Sequence, residues 1–410
     1  MIFYHTADLH FGVENYGKLD QKTGIHSRLL DFHANLSLIV DSAIKEQIDF
    51  FLLCGDAYKT ANPTPTQQKL LLQQLLRLYS AQIPVVIVVG NHDHPLSFGK
   101  AHALDIFSDL PIEGFHVFSK PELKTIETKH GPVQIIGIPW PLKNHVITRQ
   151  EHRLKNNAEI ASYLSEQIAK LVERLQEQTD TKIPTVLAGH LTVGTGIFSG
   201  SEKCAIFGTD PIFSVSQLAL AGIDYVALGH LHRFQNLNPT GTPVVYSGSI
   251  ERIDFGERNE EKGFCRITIS EDTERSCLLE FIKLSCRPMT HVTLTLEPNR
   301  DQTEQMLEEL KKHTITDAII KIVYHLPQGA KDTVDQGAIQ KACEKAMAIA
   351  SIVPVHKPPA IQRRVQLTVL MDFPTIVHRY LETKELEASQ KERLLGIAQT
   401  LYQEVHEIGE

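Results

Sequence analysis

The chain has 410 residues and a mass of 46.0 kDa, longer than one ordinary small domain and suggestive of two or three. Its 42% hydrophobic and 22% charged residues exclude a disordered or fibrous protein, and a net charge of −8 argues against one that coats DNA by charge alone. No apolar run approaches the roughly 20 residues that span a bilayer, and the start lacks the basic and apolar regions of a signal peptide, so a cytoplasmic location without membrane contact is expected.

Up to about residue 284, short β-branched runs alternate with longer helical stretches. Strands are expected at Ile2–Thr6, Phe50–Cys54, 85–89, 133–138, 185–188, 225–228 and Val244–Tyr246, each an apolar run bounded by Gly, Pro or Asp. Helices are expected at 27–47, 66–80, 152–178 and 214–221. Together they predict an α/β domain with covered sheets over residues 1–285. The pattern changes after Arg287-Pro288. Strand-like 291–296 and 318–324, with helices near 303–313 and 337–349, predict a small α+β module over 286–360. Residues 361–410 read as a helical tail with a Leu-bearing end. The six cysteines form no CxxC pair and are expected to be buried free thiols.

Five segments place Asp, Asn or His directly after an apolar strand: Asp8 and His10, Gly55-Asp56, Gly90-Asn91-His92-Asp93, Gly189-His190, and Gly229-His230-Leu231-His232. In open α/β sheets ligands bind beyond the carboxyl ends of strands, so these ends are expected to converge on one pocket. Residues i and i+2 of an extended segment point to one side, which pairs Asp8 with His10 and His230 with His232. Asp8, His10, Asp56, Asn91, His190, His230 and His232 make seven oxygen and nitrogen donors. That is too many for one tetrahedral zinc and suits two divalent ions of higher coordination number. A carboxylate can bridge two ions where a histidine cannot, which points to Asp56. Histidine nitrogens among hard oxygens favour Mn²⁺ over Mg²⁺. Two such ions against two aspartates leave about +2 of charge to face a phosphate. His92 is expected as a catalytic group beside the ligands, with Asp93 orienting it.

The same motifs resemble those of the calcineurin-like metallophosphoesterase superfamily. Within it, His5-Thr6-Ala7-Asp8-Leu9-His10-Phe11-Gly12 is similar to the opening of the SbcD family of double-strand-break repair nucleases. So is the run from Ser247 to Glu257, followed by Glu261-Lys262-Gly263-Phe264. The resemblance implies a metallophosphoesterase sandwich of β-sheets flanked by helices, with a capping domain and a helical tail. It implies a manganese-dependent DNA nuclease, exonucleolytic on duplex ends and endonucleolytic on single strands and hairpins. The implied setting is DNA repair, recombination and replication at the nucleoid, with a coiled-coil SMC-like ATPase (SbcC in bacteria) as partner. One ion would take Asp8, His10, Asp56 and His232, and the other Asp56, Asn91, His190 and His230.

One position departs from the family pattern. Many relatives carry His or Asp three residues beyond the aspartate of the second motif, where this chain has Lys59. A lysine cannot copy an acid–base histidine but can hold a phosphate as a point charge. Lys18, His26 and Arg28 lie in a polar segment read either as a DNA contact or as a solvated loop. A leucine stripe over 70–78 is wider than one core-facing side needs, and relatives dimerise through helices in this region, so a homodimer is expected. The tail's Leu394, Leu395, Ile397, Ala398, Leu401 and Val405 recur at spacings of three and four, an apolar helix face expected to dock on the ATPase. The alternatives are a phosphoesterase of a small molecule or phosphoprotein, and a scaffold without chemistry.

Overall fold

The computed structural model describes residues 1–95, 101–109, 113–142, 156–200, 210–270, 275–356, 373–382 and 386–407. In chain order the elements are β1 (Ile2–Thr6), α1 (Ser27–Glu46), β2 (Phe50–Cys54), α2 (Pro65–Ser80), β3 (Val85–Val88), α3 (Asp105–Asp109), β4 (Phe115–Phe118), β5 (Glu122–Thr128) and β6 (Gly131–Ile138). Then follow α4 (Asn157–Gln176), β7 (Thr185–His190), β8 (Thr192–Val193), β9 (Ile212–Phe213), α5 (Val215–Leu218), β10 (Tyr225–Gly229), β11 (Gln235–Asn236) and β12 (Val244–Tyr246). The rest are β13 (Gly263–Ile269), β14 (Cys277–Lys283), β15 (Met289–Thr295), α6 (Gln302–Leu310), β16 (Ile319–Leu326), α7 (Gln336–Ala342), β17 (Ala348–His356), α8 (Phe373–Glu382) and α9 (Ala388–Glu407).

Two six-stranded sheets, in the orders β14-β13-β1-β2-β3-β4 and β11-β12-β10-β7-β6-β5, lie face to face. Strands β1 to β4 run parallel, as do β6, β7, β10 and β12, while the outer hairpins are antiparallel. The period of two in a strand explains the layering. Phe50, Leu52 and Cys54 of β2 point into the core between the sheets, beside Val186, Ala188, Tyr225 and Ala227. Phe51 and Leu53 point the other way, onto α1 and α2. Helix α4 and its neighbours cover the second sheet in the same manner, around Ile136, Leu187, Val226 and Leu228. Because the central strands are covered on both faces, they read as near-continuous apolar runs. Helix α2 starts where Thr64 and Gln67 cap each other and Pro65 takes the first helical position. The result is the expected mixed α/β sandwich.

The chain divides into two compact units. One comprises Met1–Leu294, Asp301–Val323 and Thr333–Val353, and the other Thr295–Arg300, Tyr324–Asp332 and Pro354–Glu410. In the first unit β15 and β16 add Met289 and Ile319 to a cluster with Phe255 of the sandwich. The helix expected over 337–349 is shorter: α7 ends at Ala342, and Ala348–His356 is strand β17. Helix α4 covers 157–176 of the expected 152–178, and residues 152–155 lie outside the described residues. Among the described residues the cysteines are free, and no helix is long and apolar enough to cross a membrane.

Candidate metal centre

The ends of β1, β2, β3, β7 and β10 bring the five motifs together. Backbone hydrogen bonds zip the first two: Asp8 N donates to Gly55 O at 3.1 Å and His10 N to Asp56 O at 2.9 Å. The chain is packed so closely here that side chains are excluded at two glycines. A Cβ on Gly229 would lie 1.7 Å from Cys54 O, and one on Gly55 would lie 2.1 Å from His190 Nδ1. Asp8, His10, Asp56 and His230 all have positive φ, at 53°, 42°, 51° and 106°. Side chains rarely adopt that region, and such strain persists where the surroundings over-determine it, as at functional sites.

The donor atoms converge. Asp8, His10 and His232 offer ligand atoms within 4.8 Å of one another, as do Asp8, Asp56 and His190. Asp56 divides its oxygens: Oδ1 accepts from the backbone N–H of His92 at 2.9 Å. Its Oδ2 sits 3.6 Å from His10 Nε2 and 3.5 Å from His190 Nε2, midway between the two histidines that the bridging assignment gives to different ions. His190 donates Nδ1–H to Cys54 O at 2.9 Å, which leaves the lone pair on Nε2 facing Asn91 Oδ1 at 2.9 Å. Burial, above all, holds the His190 ring below its usual range, and the rings of His10 and His230 well below it. Neutral imidazoles are the metal-binding form. Both oxygens of Asp8 accept from His230 N, at 3.1 and 3.0 Å. His230 Nε2 and His10 Nδ1 are buried without a hydrogen-bond partner.

This donor set fits a cation. The lone pairs of His190 Nε2, Asn91 Oδ1 and Asp56 Oδ2 face one space, and acceptors facing acceptors are costly unless a positive charge lies between them. The seven positions named from the sequence are thus gathered in one place, each held by elements of the first unit.

His92 lies in the same place, its ring centroid 5.0 Å from that of His10, and its Nδ1 meets the carbonyl oxygen of Lys59 at 3.0 Å. Its orienting partner is therefore that carbonyl. Asp93 was expected in that role, but its oxygens accept from the backbone N–H groups of Ala57, Tyr58 and Gly90 at 3.3, 3.1 and 3.0 Å. It ties the loop after β2 to the loop after β3, and burial, reinforced by the charge of Asp56, pushes its carboxyl up to about 7. Arg28 is no DNA contact: it is fully buried on α1, paired with Asp31 at 3.1 Å and 3.8 Å from Glu251. His26 caps α1, and Lys18 is exposed.

Sequence reading missed three neighbours of the ligands. Trp140, the single tryptophan of the chain, stands with its ring 4.9 Å from that of His230 and 6.0 Å from that of His190. Glu257, in a short 3-10 helix spanning Phe255–Glu257, accepts from His232 Nδ1 at 2.8 Å and pairs through its other oxygen with Lys262 Nζ at 2.8 Å. Burial alone would raise the Glu257 carboxyl, but His232 and Lys262 hold it down at about 2. The only sequence signal for Glu257 and Lys262 was membership of the 247–264 run, and Trp140 had none.

A metal-ready cluster of carboxylate, amide and imidazole at the carboxyl ends of two facing, helix-covered sheets defines a metal-dependent hydrolase of phosphate esters. The family model described as calcineurin-like phosphoesterase matches residues 1–234, a span holding all seven ligand positions, and the chain belongs to that family. The family works with divalent metal ions. Among solved structures, the chain is similar to a dimetal phosphatase from Danio rerio at 11% identity, over 68% of this chain and 98% of that one, with a TM-score of 0.37. It is also similar to a conserved protein of Streptococcus pneumoniae TIGR4 described as a predicted phosphoesterase, at 11% identity over 68% and 88%, with a TM-score of 0.26.

Proposed function

We propose that this phosphoesterase is a DNA nuclease of the SbcD kind, acting as a homodimer with a coiled-coil SMC-like ATPase on broken DNA at the nucleoid, and that its ions are Mn²⁺. The supporting observation is the segment that resembles the SbcD signature. It is built into the metal centre, since Glu257 and Lys262 of that segment hold His232 from both its ring and its carbonyl. The resemblance continues through a capping domain at 286–360 and a partner-binding tail at 361–410.

Two divalent ions bound here would supply an activated water near neutral pH and offset the charge of the phosphodiester. The remaining work falls to the chain. Asp56 holds the two halves of the site in register through Oδ2, with Oδ1 fixed by the His92 backbone. When protonated, His92 keeps Nδ1–H on the Lys59 carbonyl, so the proton it can give to the leaving oxygen is the one on Nε2. The Lys59 ammonium is close enough to help keep His10 neutral, after burial, His232 and His92. There it can hold a neighbouring phosphate of the strand. An acidic chain relies on its partner for much of its non-specific DNA affinity. Incubation with Mn²⁺ and DNA substrates tests this reading.

A further inference from the structure

We infer that Glu257, backed by Lys262, is the positioning residue that keeps His232 a metal donor at Nε2, and that it acts on one of the two ions selectively. The inference rests on the two-metal reading of the site and not on DNA as substrate.

Glu257 and Lys262 are 0% and 1% exposed. An ion pair with no solvent contact is expensive to bury, and it is retained where each charge has its bonds filled. Here they are. Glu257 Oε1 meets His232 Nδ1 at 2.8 Å, and Oε2 accepts from Lys262 Nζ at 2.8 Å and from Ile253 N at 3.0 Å. Lys262 Nζ also donates to His232 O at 2.8 Å and to Glu260 Oε2 at 3.0 Å. A carboxylate accepts only, so His232 must carry its proton on Nδ1 and present the lone pair at Nε2. That Nε2 lies 3.1 Å from His10 Nε2 and within the cluster of Asp8, His10 and His232. His190 takes its orientation from Cys54 O instead, so the other donor set does not depend on Glu257.

The network makes an unusual demand on the isosteric variant. In Glu257→Gln the amide oxygen must take the Oε2 place, because two donors, one of them cationic, point there. The amide NH₂ then faces His232 Nδ1 and donates to it, which moves the ring proton to Nε2 and blocks the donor atom. Glu257→Ala removes the acceptor without imposing the wrong tautomer. The test is Mn²⁺ titration of the full chain by calorimetry, with electron paramagnetic resonance distinguishing coupled pairs from single ions and circular dichroism confirming the fold. The wild type should bind two ions. Glu257→Gln should weaken one by about 10–100-fold and leave the other within about twofold, and Glu257→Ala should be milder than Glu257→Gln. A merely structural carboxylate predicts the reverse order, with Gln the milder change, and that result would overturn the inference. So would equal weakening of both ions, or two ions bound as tightly as in the wild type. A protein that follows the predicted order yet cuts no DNA would overturn the substrate and leave this assignment standing.

Discussion

Asp56 carries the most specific expectation at the scale of single residues. Its Oδ2 stands between His10 and His190, so Asp56→Asn replaces the anion proposed to bridge the two ions with a neutral amide. Calorimetric binding of Mn²⁺ should fall from two ions towards one or none, and phosphodiester cleavage should vanish; full activity would contradict the bridge. His92 separates from the ligands by the opposite signature. His92→Ala should keep both ions and lose turnover by about 10²–10⁴-fold, because a proton donor is missing while the donor set is whole. Loss of ions along with activity would make His92 a ligand, a role its closeness to His10 and Asp56 leaves geometrically open. The candidate ligands were legible because they follow apolar strands, four of them (Asp56, Asn91, His190 and His230) directly after a glycine, with Asp8 and His10, and His230 and His232, spaced two apart. Glu257 was not, since its contact with His232 spans 25 residues of chain and an isolated Glu in a polar run carries no sign of burial. Asp93 was misread for a related reason: adjacency to His92 in sequence says nothing about which donors the carboxylate meets.

At the scale of elements, the sandwich depends on strand ends that nearly touch. Gly229→Ala places a Cβ against the Cys54 carbonyl, which is backbone and cannot swing aside. It should cost roughly 1–3 kcal/mol or more in denaturant unfolding and weaken metal binding as well, because β10 carries His230 and His232 at its end. Unchanged stability would mean that β2 and β10 can separate freely. The helices α1 and α2 bear on the expected homodimer. Leu70, Leu71, Leu75 and Leu78 are spent on the core, while Leu38 and Tyr79 remain 53% and 42% exposed. Sedimentation at micromolar concentration should show a dimer, and Leu38→Glu with Tyr79→Glu should yield a folded monomer; a monomeric wild type would count against the pairing. Several strands escaped the sequence, among them the short and largely buried β4 and β8; others have polar residues on one face. Strands β5 and β14 interleave Glu, Lys and Thr with apolar residues, and β17 opens on alanines that read as helix. Strands β1, β2 and β12 matched residue for residue: burial on both sides makes β2 and β12 unbroken apolar runs and leaves only the buried His5 and Thr6 as polar residues at the end of β1.

The expectation for the whole molecule is a division of labour between the metal-bearing unit and the tail. Leu394, Ile397 and Leu401 of α9 are 41%, 48% and 55% exposed, an apolar face on a charged helix. A chain ending at His356 should retain two-ion binding and Mn²⁺-dependent cutting of short single strands while losing co-purification with the ATPase. Unchanged affinity for the ATPase would make the tail an ordinary element of the fold. These seven donors and His92 are proposed to cut DNA. That proposal is tested most directly by incubating the purified chain with Mn²⁺ and an end-labelled linear duplex, with Asp56→Asn and a chelator as controls. The expected result is metal-dependent shortening of the duplex that both controls abolish. Intact DNA beside rapid hydrolysis of a small phosphate ester would contradict it.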